Sequence, residues 1–267
     1  MLFDVNAWLG TWPFRSLRSN TAELLVERLD RSGIRWAAVS SLEAIFHRNA
    51  MPANLRLLEE IERRRDRLIP IATINPTYVK WEDDLARCAQ LGMRGVRLFP
   101  AYHGYEADGP EAVRAATACA GLGLPVLIPQ RMEDERQRHR LDPGKTVDLG
   151  RIANLIAAVP HGVYVIQNAR GIPRSPLWQR GDLRRLSWYV DLSLSEVDYL
   201  LHRDVRSMRD LAELVEQGGA GRLLFGTHLP FSYAAPALVK LAVLDVDPKT
   251  REEIAYRKAL AIFGLFP

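Results

Sequence analysis

The stretch Asp108–Gln130, DGPEAVRAATACAGLGLPVLIPQ, holds one complete building unit of this chain. An aspartate stands where a helix needs a cap, an amphipathic segment follows, Gly123 comes just after it, and a short apolar run begins at Pro125. An aspartate side chain satisfies free amide groups at a helix start, and a glycine beyond the last turn closes the helix in a left-handed conformation. The run from Pro125 to Ile128 then reads as a strand. Similar units recur on both sides. Further strands are expected at Leu2 to Asn6, Trp36 to Ser40, Ile69 to Ile74, Gly95 to Phe99, Val163 to Gln167, Trp188 to Leu192 and Leu223 to Gly226. That makes eight. Between them, Asn20 or Thr21 precedes AELLVERLDRSG and Thr146 precedes VDLGRIANLIAAV, while Gly33 and Gly92 follow other helix ends. A last helix is expected from about Lys249 to Phe263.

Short apolar strands alternating with amphipathic helices belong to a parallel sheet with crossover helices. Eight repeats favour a closed (β/α)8 barrel over an open doubly wound sheet of five or six strands. No low-complexity linker or break in composition divides the 267 residues, so residues 1–267 are expected to form a single α/β domain, a TIM-like barrel with an extra C-terminal helix.

Composition narrows the function classes. The hydrophobic share is 48% and the charged share 25%, ordinary values for a globular domain. Cys88 and Cys119, the two cysteines, lie in helical segments away from any CxxC or Cys/His cluster, so neither a disulfide framework nor a cysteine zinc site is expected. MLFDVNAWLG has no leader pattern and no apolar run reaches membrane length, which points to a cytoplasmic protein with no membrane partner. A net charge of +4 could indicate nucleic acid, yet ERRRDR and ERQRHR both contain acids and no basic run is interleaved with aromatics. Scattered arginines suit a small anionic molecule better, and no nucleic-acid partner is expected. Gly92, Gly95, Gly104 and Gly109 are too dispersed for a dinucleotide turn, and no P-loop occurs.

A (β/α)8 barrel carries its chemistry at the C-terminal ends of its strands. Those positions hold Asn6, Trp8 and Arg15; Glu43 and His47; Asn75; Arg97, Tyr102, His103 and Tyr105; Gln130 and Arg131; Gln167, Asn168 and Arg170; Asp191 and Ser193; and Thr227 and His228.

DVNAWLG, MRGVRLFP, LPVLIP, VYVIQNARG, RLLFGTHLP and EEIAYRKALAIFGL, in this order and spacing, resemble landmarks of the amidohydrolase-related family over nearly the whole chain. The resemblance implies a barrel, often dimeric, in which D-x-H-x-H-x-G, a histidine ending strand 5, His-x-Gly-Gly and G-[ST]-D-x-P hold one divalent metal for hydrolysis or non-oxidative decarboxylation. Here the matching positions hold Asn6, Trp8, Pro129, Asn168 and His228. Tryptophan, proline and an amide are absent or poor metal donors, so the family's metal site is not expected to form and no cofactor is expected. One alternative keeps zinc or another divalent ion at a relocated site built from His47, His103 and His228.

In the leading expectation the chain is a metal-independent hydrolase or lyase for a small anionic, carboxylated or cyclic substrate. His228 would be the general acid or base, since imidazole titrates near neutrality. Its plain counterpart is a histidine that only fills a lost ligand's place. Asp191 would orient His228 or Arg170, or else cap the following helix. Arg97, Arg131 and Arg170 would hold negative charge through their forked donors, or form ion pairs with Asp191, Glu43 or Glu133. Tyr102 and His103 would line the pocket or pack a loop over the mouth. Asn6, Gln130 and Asn168 would orient a polar ligand, and Trp8 would offer a flat face where a metal ligand would otherwise stand. The rival from another class is a catalytically silent barrel that binds a ligand or partner.

Overall fold

The computed structural model describes residues 1–134, 137–193 and 206–265. Among the described residues, nine short strands are interspersed with helices: β1 (Phe3–Leu9), β2 (Trp36–Ser41), β3 (Leu68–Pro70), β4 (Ala72–Thr73), β5 (Val96–Arg97), β6 (Val126–Pro129), β7 (Val163–Gln167), β8 (Ser187–Asp191) and β9 (Leu223–Leu224). β3 and β4 are two halves of the expected third strand, interrupted only at Ile71. All paired strands are parallel, in the orders β1-β2-β3 and β4-β5-β6-β7-β8-β9.

The fold is an α/β barrel whose regular ladder does not run all the way round. At Ile71 the chain keeps contact across the gap, its N–H reaching the Val39 carbonyl at 2.8 Å and Ala72 N–H the Gly95 carbonyl at 2.9 Å. Between the last strand and the first, Val5 N–H donates to Phe225 at 3.0 Å, His228 N–H to Asn6 at 2.8 Å and Trp8 N–H to Leu229 at 2.9 Å. Those bonds tie the two matched positions Asn6 and His228 together through the backbone.

Every residue of β1 is buried, because one face meets the helices and the other the barrel interior. The helix Ala22–Arg31 begins at Thr21, whose hydroxyl accepts from Leu24 N–H, and buries Ala22, Leu25, Val26 and Leu29. Gly33, Gly92 and Gly123 have φ of +68°, +80° and +66°, as the helix-closing role requires. Two expected caps differ. Gly109 caps the helix Pro110–Gly121, because Asp108 instead reaches the next crossover helix, accepting from Arg151 and Asn154 at 2.8 and 2.9 Å. Asp148, not Thr146, caps Leu149–Ala158 by accepting from Arg151 N–H.

The terminal helical run covers Pro248–Ile262 with a π-helical stretch at Glu253–Arg257. Within that stretch the Ile254 carbonyl accepts from Phe225 N–H at 2.9 Å, and Phe263 stacks on Phe3 with ring centroids 5.5 Å apart. The extra helix is thereby anchored to the first and last strands. Among the described residues no helix is long and apolar enough to cross a membrane.

Candidate functional site

The geometry of the barrel mouth starts from an irregularity in β1. Its pairing with β2 slips by one residue between Asp4 and Ala7, a bulge that takes an amide out of the ladder. The Asp4 carboxylate accepts that amide, Asn6 N–H, at 2.9 Å, and also accepts Thr227 N–H at 2.9 Å and the Thr227 hydroxyl. Asp4 therefore pins the first strand to the segment after β9. Burial raises its pKa to about 7, against the pull of those donors.

Asn6 is the hub above. Its amide nitrogen lies 2.8 Å from Asn168 Oδ1, 2.7 Å from Asp191 Oδ2 and 2.9 Å from Ser193 Oγ, while its oxygen accepts from Trp8 Nε1 at 2.9 Å. Asp191 further accepts Asn168 N–H at 3.0 Å and the Ser193 hydroxyl at 2.7 Å. Its pKa is raised by burial, with these donors and the Lys240 charge acting the other way. Gly226 makes this placement feasible, since a Cβ there would stand 2.8 Å from Asp191 Oδ2. Asp191 thus holds the Asn6 side chain and the Asn168 backbone, whose side chains both neighbour His228. Leu194–Val205, where a helix capped by Asp191 would begin, lie outside the described residues.

His228 and Asn168 both have left-handed backbones, with φ of +63° and +56°. Asparagine and histidine enter that region more often than other side chains, at a cost in strain, and such strain collects at ligand clamps and active sites. The His228 tautomer follows from its neighbours. Nε2 lies 2.6 Å from the Met132 carbonyl and must donate, so in the neutral ring Nδ1 accepts, facing the Trp8 indole N–H at 3.2 Å and the Asn168 amide at 3.3 Å, both nearer than the Asn6 oxygen at 3.4 Å. Both nitrogens are occupied by protein. Burial lowers the pKa to about 3, helped by Arg97, Arg15 and Arg131 and opposed by the Met132 carbonyl. His228 is neutral at pH 7, with its ring stacked on Phe231 at 4.6 Å.

Arg97 lies inside the barrel, its guanidinium 3.9 Å from the Trp8 ring centroid. It donates to Gln167 Oε1 at 3.1 Å and to the carbonyls of Ala7, Val5 and Ala38 at 3.0, 3.2 and 3.3 Å. The expectation that it holds a ligand's charge is corrected here: its donors are spent on β1, β2 and β7 and its flat face on Trp8. Trp8 likewise offers no open face, being buried between Arg97, Phe99 and His228.

The other expected site residues are held in other ways. Gln130 uses its side-chain oxygen to accept Arg170 N–H at 2.9 Å, fixing the turn after β7 instead of facing a ligand. Arg170 itself faces Asp134 at 3.8 Å, one of the ion-pair readings in kind though with a different acid. The Arg131 carbonyl accepts from Asn168 at 2.8 Å, and its side chain is buried. Tyr102 donates to Asp142 at 3.3 Å, and His103 packs edge-on against Phe99 at 5.9 Å, its pKa lowered to about 4 by burial. These two form the loop packing of the plain reading.

A cavity of about 540 Å³ opens directly above the cluster. Ser193, Thr227 and His228 border its inner end, and Arg15, Arg18, Arg28, Lys240, Glu133 and Asp134 give it charge. Arg15 and Ser193 are strand-end residues of the sequence, but Arg18, Arg28 and Lys240 come from segments with no motif. Lys240 did carry a signal: it is the sole charge in the apolar helix Ala234–Val243, and its ammonium is buried and donates to the Leu192 carbonyl.

The donor set does not suit the divalent ion of the resembling family. At the five matched positions the one good ligand, His228, already uses Nε2 on a carbonyl, and its Nδ1 faces two N–H donors. Arg97 adds a permanent cation beside Trp8. Among the described residues no three His, Cys, Asp or Glu side chains are grouped as a metal would need, which includes His47, His103 and His228.

The sequence model of the family described as amidohydrolase matches residues 29–265. Among solved structures, 2,6-dihydroxybenzoate decarboxylase from Rhizobium is 16% identical with a TM-score of 0.72, covering 99% of this chain and 98% of its own. A 5-carboxyvanillate decarboxylase from Sphingomonas paucimobilis is 15% identical with a TM-score of 0.74 over 99% of each chain. A dihydroxybenzoic acid decarboxylase from a Polaromonas species, solved with bound manganese and the inhibitor 2-nitroresorcinol, is 16% identical with a TM-score of 0.70, covering 99% of this chain and 97% of its own. At such identities the likeness speaks for the shared barrel fold alone. No curated protein matches the chain.

Proposed function

The chain belongs to the amidohydrolase family, and on that premise we propose that it binds a small anionic, carboxylate-bearing molecule in the cavity over its barrel mouth, without a metal ion. The observation that carries this reading is the cavity itself: about 540 Å³, bordered by four cationic side chains, at the strand ends where barrels of this class place their ligands. Its volume suits a single small molecule. The names of the similar structures, dihydroxybenzoate and carboxyvanillate decarboxylases, agree in chemical class. His228, Asn6, Asn168, Asp191 and Trp8 form the rigid floor under the ligand, and Arg15 and Lys240 add positive field along its wall.

Thermal unfolding with millimolar benzoate and 2,6-dihydroxybenzoate, against chloride at equal ionic strength, tests the proposal. A midpoint that rises with ligand concentration as mass action requires is the expected result. Unchanged midpoints with every carboxylate, together with no heat of binding, would overturn it.

A second reading, a metal-independent hydrolase or lyase with His228 as proton carrier, is favoured by the position of His228 at a strand end beside the cavity. It ranks second because a base whose pKa is pulled to about 3 takes protons poorly at neutral pH, and both ring nitrogens are engaged. Turnover of lactones, esters or aromatic carboxylates that disappears in His228→Ala would put it first. A homodimer accompanies the proposal, resting on the family resemblance, and sedimentation equilibrium measures the assembly.

A further inference from the structure

The charges around the cavity are unequal, and the unbalanced members can be named. Arg15, Arg18, Arg28 and Lys240 face only Glu133 and Asp134, two positive charges in excess among the described residues. Arg15 is paired with Glu133 at 2.5 Å, Asp134 faces Arg170 at 3.8 Å, and Lys240 donates to Leu192 and lies in the field of Asp191. Arg18 and Arg28 have no carboxylate partner among the described residues. Arg18 is exposed at the rim. Arg28 is half-buried: its guanidinium lies 5.5 Å from the Tyr233 ring centroid, and its Nε is sealed from solvent with no hydrogen-bond acceptor. A sealed N–H has given up water and gained nothing in exchange, so the site is incomplete as it stands.

The same two arginines also line a second cavity of about 280 Å³, where the third arginine, Arg31, is already paired with Glu27. Arg18 and Arg28 are therefore the unspent cations of the wall shared by both cavities. Forked guanidinium donors fit the planar oxygens of carboxylate or phosphate.

We infer that Arg18 and Arg28 form an outer anion subsite, and that the ligand carries two negative charges, at least one of them seated between these arginines. This rests on the proposed function, since it assigns the outer end of the same cavity. The ligand's other end lies over Ser193, Thr227 and His228, and its charge comes either from a second carboxylate or from a phosphate ester.

Calorimetric titration with benzoate, isophthalate and phenyl phosphate at one fixed ionic strength separates these sources and tests the subsite. The proteins are wild type, Arg18→Gln, Arg28→Gln, Arg28→Lys, and Arg87→Gln as a control of equal net charge on the exposed side of the helix Trp81–Gln90. Wild type and the Arg87 control should bind at least one dianion about tenfold or more tightly than benzoate. Arg28→Gln should erase that preference, and Arg28→Lys should keep part of it. Equal binding of all three ligands by wild type, or a preference that survives in both Arg18→Gln and Arg28→Gln, overturns the subsite while benzoate binding keeps the proposed function. Wild type that binds none of the three overturns the proposed function and the subsite with it.

Discussion

Two regions lie one above the other at the barrel mouth and use their polar groups in opposite ways. In the lower one, Asn6, Trp8, Arg97, Asn168, Asp191 and His228 are all buried, and each makes hydrogen bonds to another side chain of the chain itself. In the upper one, Arg18 has no acid partner among the described residues, Arg28 has a sealed nitrogen without an acceptor, and Glu133 has a buried oxygen without a donor. Satisfied groups hold a fold; unsatisfied ones beside a cavity await something from outside. If this division is right, substitutions below change stability and substitutions above change binding.

Arg97→Ala should give the largest effect, because it empties the space over Trp8 and strips a buried cation from the neighbourhood of Asp4 and Asp191. A loss of about 4 kcal/mol in denaturant unfolding is expected. Loss below about 1 kcal/mol would mean that the lower network is slack. Gly226→Ala should cost about 2 kcal/mol, since its Cβ would stand 2.8 Å from Asp191 Oδ2 and force that carboxylate off its donors. The same midpoint as wild type in thermal unfolding would break the assignment of Asp191 as the orienting carboxylate.

Two buried titrating groups sharpen the comparison through pH. His228 has its folded pKa lowered to about 3, so the unfolded chain binds the extra proton and stability falls as pH drops below about 6.5. Asp4 has its folded pKa raised to about 7, so its contribution is complete below about 4 and is lost as pH rises toward and through 7. Between pH 7 and pH 5 these slopes oppose each other at about 2 kcal/mol each. His228→Gln should therefore become more stable on acidification over that range, and Asp4→Asn less stable, by urea unfolding at each pH. Parallel profiles for the two variants would contradict the assignment. The smallest stability effect belongs to the upper region: Arg28→Gln should shift unfolding by less than about 0.5 kcal/mol while altering ligand affinity.

The fold was legible in the sequence because strand spacing, glycines and Thr21 each act locally, and the lower network was legible because a barrel fixes where strand ends point. Roles within it were less so. Arg97 at a strand end reads as an anion binder until its distance to Trp8 is known, and that contact joins β1 to β5. Asp108 was misplaced as a cap because its carboxylate goes to the long-range partners Arg151 and Asn154, and Thr146 because Asp148, two residues on, takes the capping position. Arg18 and Arg28 could not be singled out: they are ordinary surface arginines in sequence, and only the cavity they share gives them a role.

Elemental analysis of protein purified without chelator, followed by unfolding with and without added manganese, tests most directly whether the lower network stands where relatives would keep an ion. Far less than one metal per chain and an unchanged midpoint are expected, since its one imidazole is committed on both sides. About one equivalent of tightly held metal per chain, or a midpoint raised by manganese, would contradict the account.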